Sequence, residues 1–212
     1  MSKLITNTLR HTGGSADNIT LDGSQNVTVE GNLTVDGTTT LTGSVTLPSS
    51  TVNVRQTVSA VTTLSGNSEV SFAVPSNCFS IKFQILNMET ASTSVKGMYV
   101  KVGSTAVTSG YYGGASLFDG SGTSVSSDSN AADWDAFEGF GGGSDKVTAI
   151  VNFEEQADNT WIFSSCGYGA GNFSHQSAGY IVLAGELSHV VFKSNTGNFD
   201  GGTIRATFME KV

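Results

Sequence analysis

Between Asn18 and Ser49 the apolar residues of this chain stand two apart and the arrangement repeats every six. The units read Asn18-Ile-Thr-Leu-Asp-Gly23, then, after Ser24-Gln25, Asn26-Val-Thr-Val-Glu-Gly31, Asn32-Leu-Thr-Val-Asp-Gly37, Thr38-Thr-Thr-Leu-Thr-Gly43 and Ser44-Val-Thr-Leu-Pro-Ser49. Each unit is polar, apolar, Thr, apolar, polar, Gly, and Thr39 is the lapse at the first apolar place. Residues two apart share one face of a strand, so the two apolar side chains point one way and the Thr between them points the other. The closing Gly permits a sharp turn or a positive φ, which lets the strand change direction at each unit.

Five such units cannot enclose a core. A triangular coil needs three faces, and one repeat unit cannot bury its apolar face alone. Three chains winding about a common axis would supply the missing walls and turn Ile19, Leu21, Val27, Val29, Leu33, Val35, Leu41, Val45 and Leu47 inward with cyclic symmetry. A disordered Gly/Thr linker is the rival reading, but linkers do not hold Val, Leu and Ile in register. Ahead of the ladder, Leu4, Ile5 and Leu9 form a short amphiphilic segment, expected to anchor the chain to a larger body.

From about Gln56 the pattern changes to alternation. Val58 to Leu64, Glu69 to Val74, Phe79 to Leu86, Lys96 to Val102, Lys146 to Phe153, Trp161 to Cys166, Gly179 to Leu187, His189 to Lys193 and Thr203 to Glu210 read as strands bounded by turn residues. The expected fold is all-β: an anchor over 1–17, an intertwined triple-stranded β stem over 18–55 and a β-sandwich head, jelly-roll-like, over 56–212. Gln156 to Asn159 reads as a hairpin loop and Asn195 to Gly202 as a longer one. Ser109 to Ser144 reads as a long loop in which Tyr111, Tyr112, Phe118, Trp134, Phe137 and Phe140 stand among Gly, Ser and Asp, candidates for receptor or subunit contact. Trp161 and Phe163 share one face of a strand and are expected in the core.

Composition supports strands and turns, with 26 Gly, 2 Pro and 13% charged residues. A formal charge of −8 with ten Lys plus Arg excludes a nucleic-acid partner on electrostatic grounds, since that needs a clustered basic face. No stretch approaches the roughly 20 apolar residues of a membrane span, and the N-terminus lacks the apolar core of a signal peptide. Synthesis in a cytoplasm without membrane insertion is therefore expected, and the Asn-x-Ser/Thr sequons at Asn18, Asn26, Asn32 and Asn172 are read as coincidence. Cys78 and Cys166 are expected as reduced, buried thiols.

The search for chemistry yields little. No Gly-x-Ser-x-Gly elbow is present, and His175 and His189 are the histidines available to the head, so no catalytic residues are expected. Asp133, Asp135 and Glu138 lack the order of a calcium loop, as does Asp119-Gly120-Ser121-Gly122, and a solvated acidic loop is the expectation in place of a metal site. Gly167-Tyr168-Gly169-Ala170-Gly171 opens no helix and has no phosphate-binding Lys. No cofactor is implied.

Other residues carry a resemblance. Ser2-Lys3-Leu4, Asp17-Asn18 and the tract from Gly31 to Leu41 resemble the N-terminal stems of tail-fibre and other structural proteins of marine and cyanobacterial tailed phages. Asn159-Thr160-Trp161-Ile162, Leu187-Ser188-His189-Val190 and Phe199-Asp200-Gly201-Gly202-Thr203-Ile204 resemble a β-rich C-terminal domain of phage fibres. The resemblance implies a homotrimeric virion component, on the tail in preference to the capsid surface. Other virion proteins would meet its N-terminal segment, and a host-surface glycan or protein would meet its head loops. The alternative within the same group is a capsid decoration, cement or head-fibre protein without receptor binding.

Overall fold

The computed structural model describes residues 8–9, 19–21, 27–29, 54–90, 96–120, 122–137, 146–157, 159–169 and 173–211. The chain divides into two compact units, Met1–Thr46 and Leu47–Val212. All the elements among the described residues are strands, and no helix there is long and apolar enough to cross a membrane.

In the first unit β1 (Thr8–Leu9), β2 (Ile19–Leu21) and β3 (Val27–Val29) form an antiparallel sheet in that order. The register sets Ile19 opposite Val29 and Leu21 opposite Val27, with Leu9 opposite Ile19. The first two six-residue units thus run back along one another within one chain, where a continuous winding would carry them onward. The Ser24-Gln25 insertion that interrupts the period lies between them. Leu33, Val35, Leu41, Val45 and Leu47 of the ladder, Leu4 and Ile5 of the anchor, and Phe140 lie outside the described residues.

The second unit holds β4 (Val54–Val58), β5 (Thr62–Thr63), β6 (Glu69–Ala73), β7 (Cys78–Thr90), β8 (Lys96–Val102), β9 (Thr105–Ala106), β10 (Tyr111–Asp119) and β11 (Gly122–Ala131). It continues through β12 (Val147–Glu155), β13 (Thr160–Gly169), β14 (Phe173–Val182), β15 (Leu187–Ser194) and β16 (Phe199–Lys211). The larger sheet has nine strands in the order β11-β10-β14-β13-β12-β7-β16-β4, with β5 also on β16. The smaller has four, in the order β6-β15-β8-β9. The head is a β-sandwich, but an unequal one, not the two matched sheets of a jelly roll. Its first strand already begins at Val54.

Alternation builds the core. Along β12, Val147, Ala149, Val151 and Phe153 are buried while Thr148, Ile150 and Glu154 are exposed. Phe83 of β7 meets Phe192 of β15 at 4.9 Å and Phe72 of β6 at 5.3 Å, both edge to face, which locks the two sheets together. Trp161 and Phe163 are buried, as their spacing predicts.

The stretch from Ser109 to Ser144 departs from expectation. Its first half is the hairpin β10–β11, closed where the Asp119 carboxylate accepts from the Gly122 amide at 2.8 Å, and β10 continues the large sheet through β14. Beyond it, Trp134 exchanges backbone hydrogen bonds with Met98 at 2.8 and 3.0 Å. The Trp134 indole lies 4.1 Å from the Phe163 ring, and Ala136 and Phe137 are fully buried beside it. This segment covers the inner face of β13 and β14. Tyr111 is buried too, and its hydroxyl accepts the Val100 amide at 2.7 Å. Tyr111, Trp134 and Phe137 are therefore packing residues, not receptor-loop residues. Asp133, expected in a solvated loop, forms an ion pair with Lys193.

The Gln156 to Asn159 hairpin loop is present, with Asn159 at φ 59° and the Gln156 amide on the Thr160 carbonyl at 2.9 Å. The Asn195 to Gly202 loop is shorter than expected, since β16 starts at Phe199. Cys78 is a buried free thiol, its pKa pushed up to about 11 by desolvation. Cys166, also free, is exposed, contrary to expectation, because it falls on the outward phase of β13.

Gly179 faces inward where β13, β14 and β10 crowd together. A Cβ there would meet the Tyr112 carbonyl oxygen at 2.3 Å and the Phe163 ring at 2.4 Å. Gly179→Ala is expected to destabilise the head by about 3 kcal/mol through overpacking. A denaturant titration checks this, and an unchanged midpoint would contradict the packing described.

Candidate functional site

The outward phase of the large sheet is unusual. On β12 it carries Thr148, Ile150, Asn152 and Glu154, and on β13 Ile162, Ser164, Cys166 and Tyr168, with Ile150 opposite Cys166 and Asn152 opposite Ser164. The β14 partners continue the rows, Gln176 beside Cys166, Ala178 beside Ser164 and Tyr180 beside Ile162. Next comes β10, with Gly114 beside Ala178 and Tyr112 beside Tyr180. On the other flank Gln84 and Lys82 of β7 stand beside Ile150 and Asn152, and Arg205 and Thr207 of β16 beside those.

Large apolar side chains crowd this face. Leu86 is 55% exposed, Tyr168 53%, Tyr180 45% and Ile162 42%, and Tyr112, Phe118, Val125, Ile150 and Val182 are exposed beside them. The Tyr112 and Tyr180 rings stack at 5.3 Å and 13°. Two depressions mark the face. One of about 720 Å³ lies among Leu86, Ile150 and Tyr168, with Gln84, Gln176 and Arg205 at its edge. The other, about 410 Å³, is floored by small residues, Gly114, Ser164 and Ala178 among them. Concave apolar surface with a few convergent polar groups is where proteins bind ligands or partners.

Beneath this face lies a buried polar cluster. Ser165 donates to the Ala136 carbonyl at 2.7 Å, Ser177 Oγ lies 2.7 Å from Ser165 Oγ, and His175 Nε2 lies 3.0 Å from it. Desolvation lowers the His175 pKa to about 4, against a backbone hydrogen bond to Ala136 that acts the other way. The ring is neutral at physiological pH. With the Ser165 proton committed to a carbonyl, the Ser–His pair braces the Trp134–Phe137 segment under the sheet.

Of the six aromatic residues expected at a contact surface, the structure brings Tyr112 and Phe118 onto this outer face and places Tyr111, Trp134 and Phe137 inside. Leu86, Ile150, Ile162, Tyr168 and Tyr180 were missed by the sequence reading. Their signal is an apolar residue on the off phase of an alternating strand: Trp161-Ile162-Phe163 is apolar on both phases, as a strand covered on both faces would be.

No family model matches the chain, and no curated protein matches it. Among solved structures the chain is similar to the tripod from the baseplate of bacteriophage Tuc2009, with 11% identity, 100% of each chain covered and a TM-score of 0.24. A likeness at that score assigns neither fold nor function.

The buried His175 makes stability depend on pH. Its folded pKa lies below the ordinary value of 6.5, so as pH falls protons bind the unfolded chain first and the fold loses stability between 6.5 and about 4. Between pH 7 and pH 5 this loss is about 2 kcal/mol. Denaturant midpoints measured across that interval should fall for the native protein and flatten for His175→Gln; equal slopes would refute the assignment.

Proposed function

We propose that the chain is a structural protein of a tailed-phage virion: a homotrimeric fibre that joins the particle through residues 1–17 and meets a host-surface glycan or protein through its head. The observation that carries this reading is the six-residue Val/Leu/Ile ladder from Asn18 to Ser49. Its first two units form strands of only three residues each, where strands usually run to about five or six and small sheets need cover on their apolar face. Neighbouring chains supply that cover. The resemblance to phage fibre stems supports the same reading, as does the all-strand head. Among the described sequence candidates, Tyr112 and Phe118 are the ones exposed for contact with a receptor or a neighbouring subunit.

A second reading is a capsid decoration or cement protein that uses the same trimer without a receptor. The loss of exposed loop favours it: the described part of the expected long aromatic loop has become β10, β11 and a core segment. A host-cell binding assay with the purified protein separates the two.

Replacing Leu33 and Val35 together by Asp should reduce trimers to single copies in sedimentation, and a variant that still sediments as a trimer would remove the basis of the stem. Deleting residues 1–17 should leave soluble trimers that no longer join particles. Labelled antibody that still finds the truncated protein on virions would refute the anchor.

A further inference from the structure

We propose that the outer face of the nine-stranded sheet is the surface on which the heads of sister chains pack against one another, so that Cys166 is covered in the assembled protein. The inference rests on the reading that the chain assembles with its own copies, and it names the head surface that does so.

Area is the first argument. Nine large side chains left partly exposed on this face, from Val125 at 76% to Tyr112 at 37%, amount to an apolar surface on the order of 900 Å², close to the roughly 800 Å² per partner of a standard protein interface. Scattered exposed apolar residues need no explanation, but these are gathered on one phase of consecutive strands.

Relief is the second. Gly114, Ala178 and Ser164 occupy neighbouring strands in one row and make a furrow floored by small residues. On one side stands the ridge of Tyr112, Tyr180 and Ile162, and on the other the row of Gln176, Cys166 and Ile150, with Tyr168 one row beyond. A ridge with a furrow beside it fits a copy of itself.

Charge is the third. The chain carries −8, which opposes self-association through most surfaces. In the central rows of this face the charged residues of β7, β12 and β16 are Lys82, Arg205 and Glu154, with Glu89, Asp200 and Lys211 at the strand ends, so the centre of the face carries no excess of acid to oppose a second copy. A saccharide site would ring its aromatic platforms with hydroxyl-binding groups; Tyr168 has Thr148 and Ser174 beside it, but the stacked pair Tyr112–Tyr180 stands beside Ile162 with Ala178 in the next row, a setting suited to a dry contact. Cys166, from one of the residue types most often buried, stands exposed near the centre of the face.

The two thiols provide the test. Full-length protein is treated with a bulky maleimide under native conditions while its mass is measured by sedimentation, alongside the variant carrying Ile150→Lys and Ile162→Lys. A multi-copy mass is expected, with Cys166 reacting at least about tenfold slower in the native protein than in the variant, as for a thiol that must wait for an opening. Cys78, buried within the head itself, should stay unreactive in both and show that the variant is folded. A multi-copy mass with promptly labelled Cys166 would overturn this interface and leave the stem standing. A single-copy mass would overturn the stem and the interface together. Protection of Cys166 that appears only on adding host-surface polysaccharide would give the face to a glycan ligand and likewise overturn the packing.

Discussion

The larger sheet is eight strands wide, since β4 and β5 share one edge of β16, and so spans roughly 35 Å against about 15 Å for the sheet of four, because strands are spaced about 4.8 Å apart. The mismatch governs the head. Each strand of the large sheet turns half its side chains inward, and wherever the small sheet does not reach, something else must exclude water from them. Over β7, β12 and β16 the cover is Phe72 and Phe192. Over β13 and β14 it is the segment from Trp134 to Phe137. A tryptophan suits that place, since one flat indole can touch both Phe153 and Phe163.

That substitute cover carries backbone polar groups into the interior, and buried polar groups need partners. Here Ser165 and Ser177 of the sheet answer the Ala136 carbonyl, with His175 in contact with the same hydroxyl. The cluster looks like catalytic apparatus when listed by residue type. Its burial and the direction of its hydrogen bonds instead make it the means by which an irregular segment is held in a sheet's core, at the cost of an imidazole that cannot charge without weakening the fold.

Much of this was legible in the chain. Strands such as Glu69 to Val74 and Lys96 to Val102 were found at or close to their observed limits, whereas β16 begins four residues before the expected Thr203. The hairpin β10–β11 was not found, because Gly113-Gly114-Ala115-Ser116 and the Ser-rich Gly122–Ala131 carry few of the β-branched and aromatic residues that mark strands. These segments are strands because β14 offers a free edge to pair with, a tertiary effect invisible to local pattern. The aromatic residues were assigned to a contact surface by their polar neighbours in sequence. Tyr111 and Tyr112 show why that fails: one position of phase sends the first into the core and the second to the surface.

The same rule of phase explains why the outer face was overlooked. In a half-buried strand the off phase should be polar, and β11 obeys this almost throughout, with Val125 the exception. Along β13 it is not obeyed: Ile162 and Tyr168 occupy outward places that Ser164 and Cys166 show could have been filled by small or polar residues. Exposed isoleucine and tyrosine raise the risk of non-specific association without adding to the stability of the lone sandwich. Their concentration on the central strands, away from most of the acidic residues, is what a sheet with a dry partner on both sides requires. The head is in that sense built as a three-layer structure of which one chain supplies two layers.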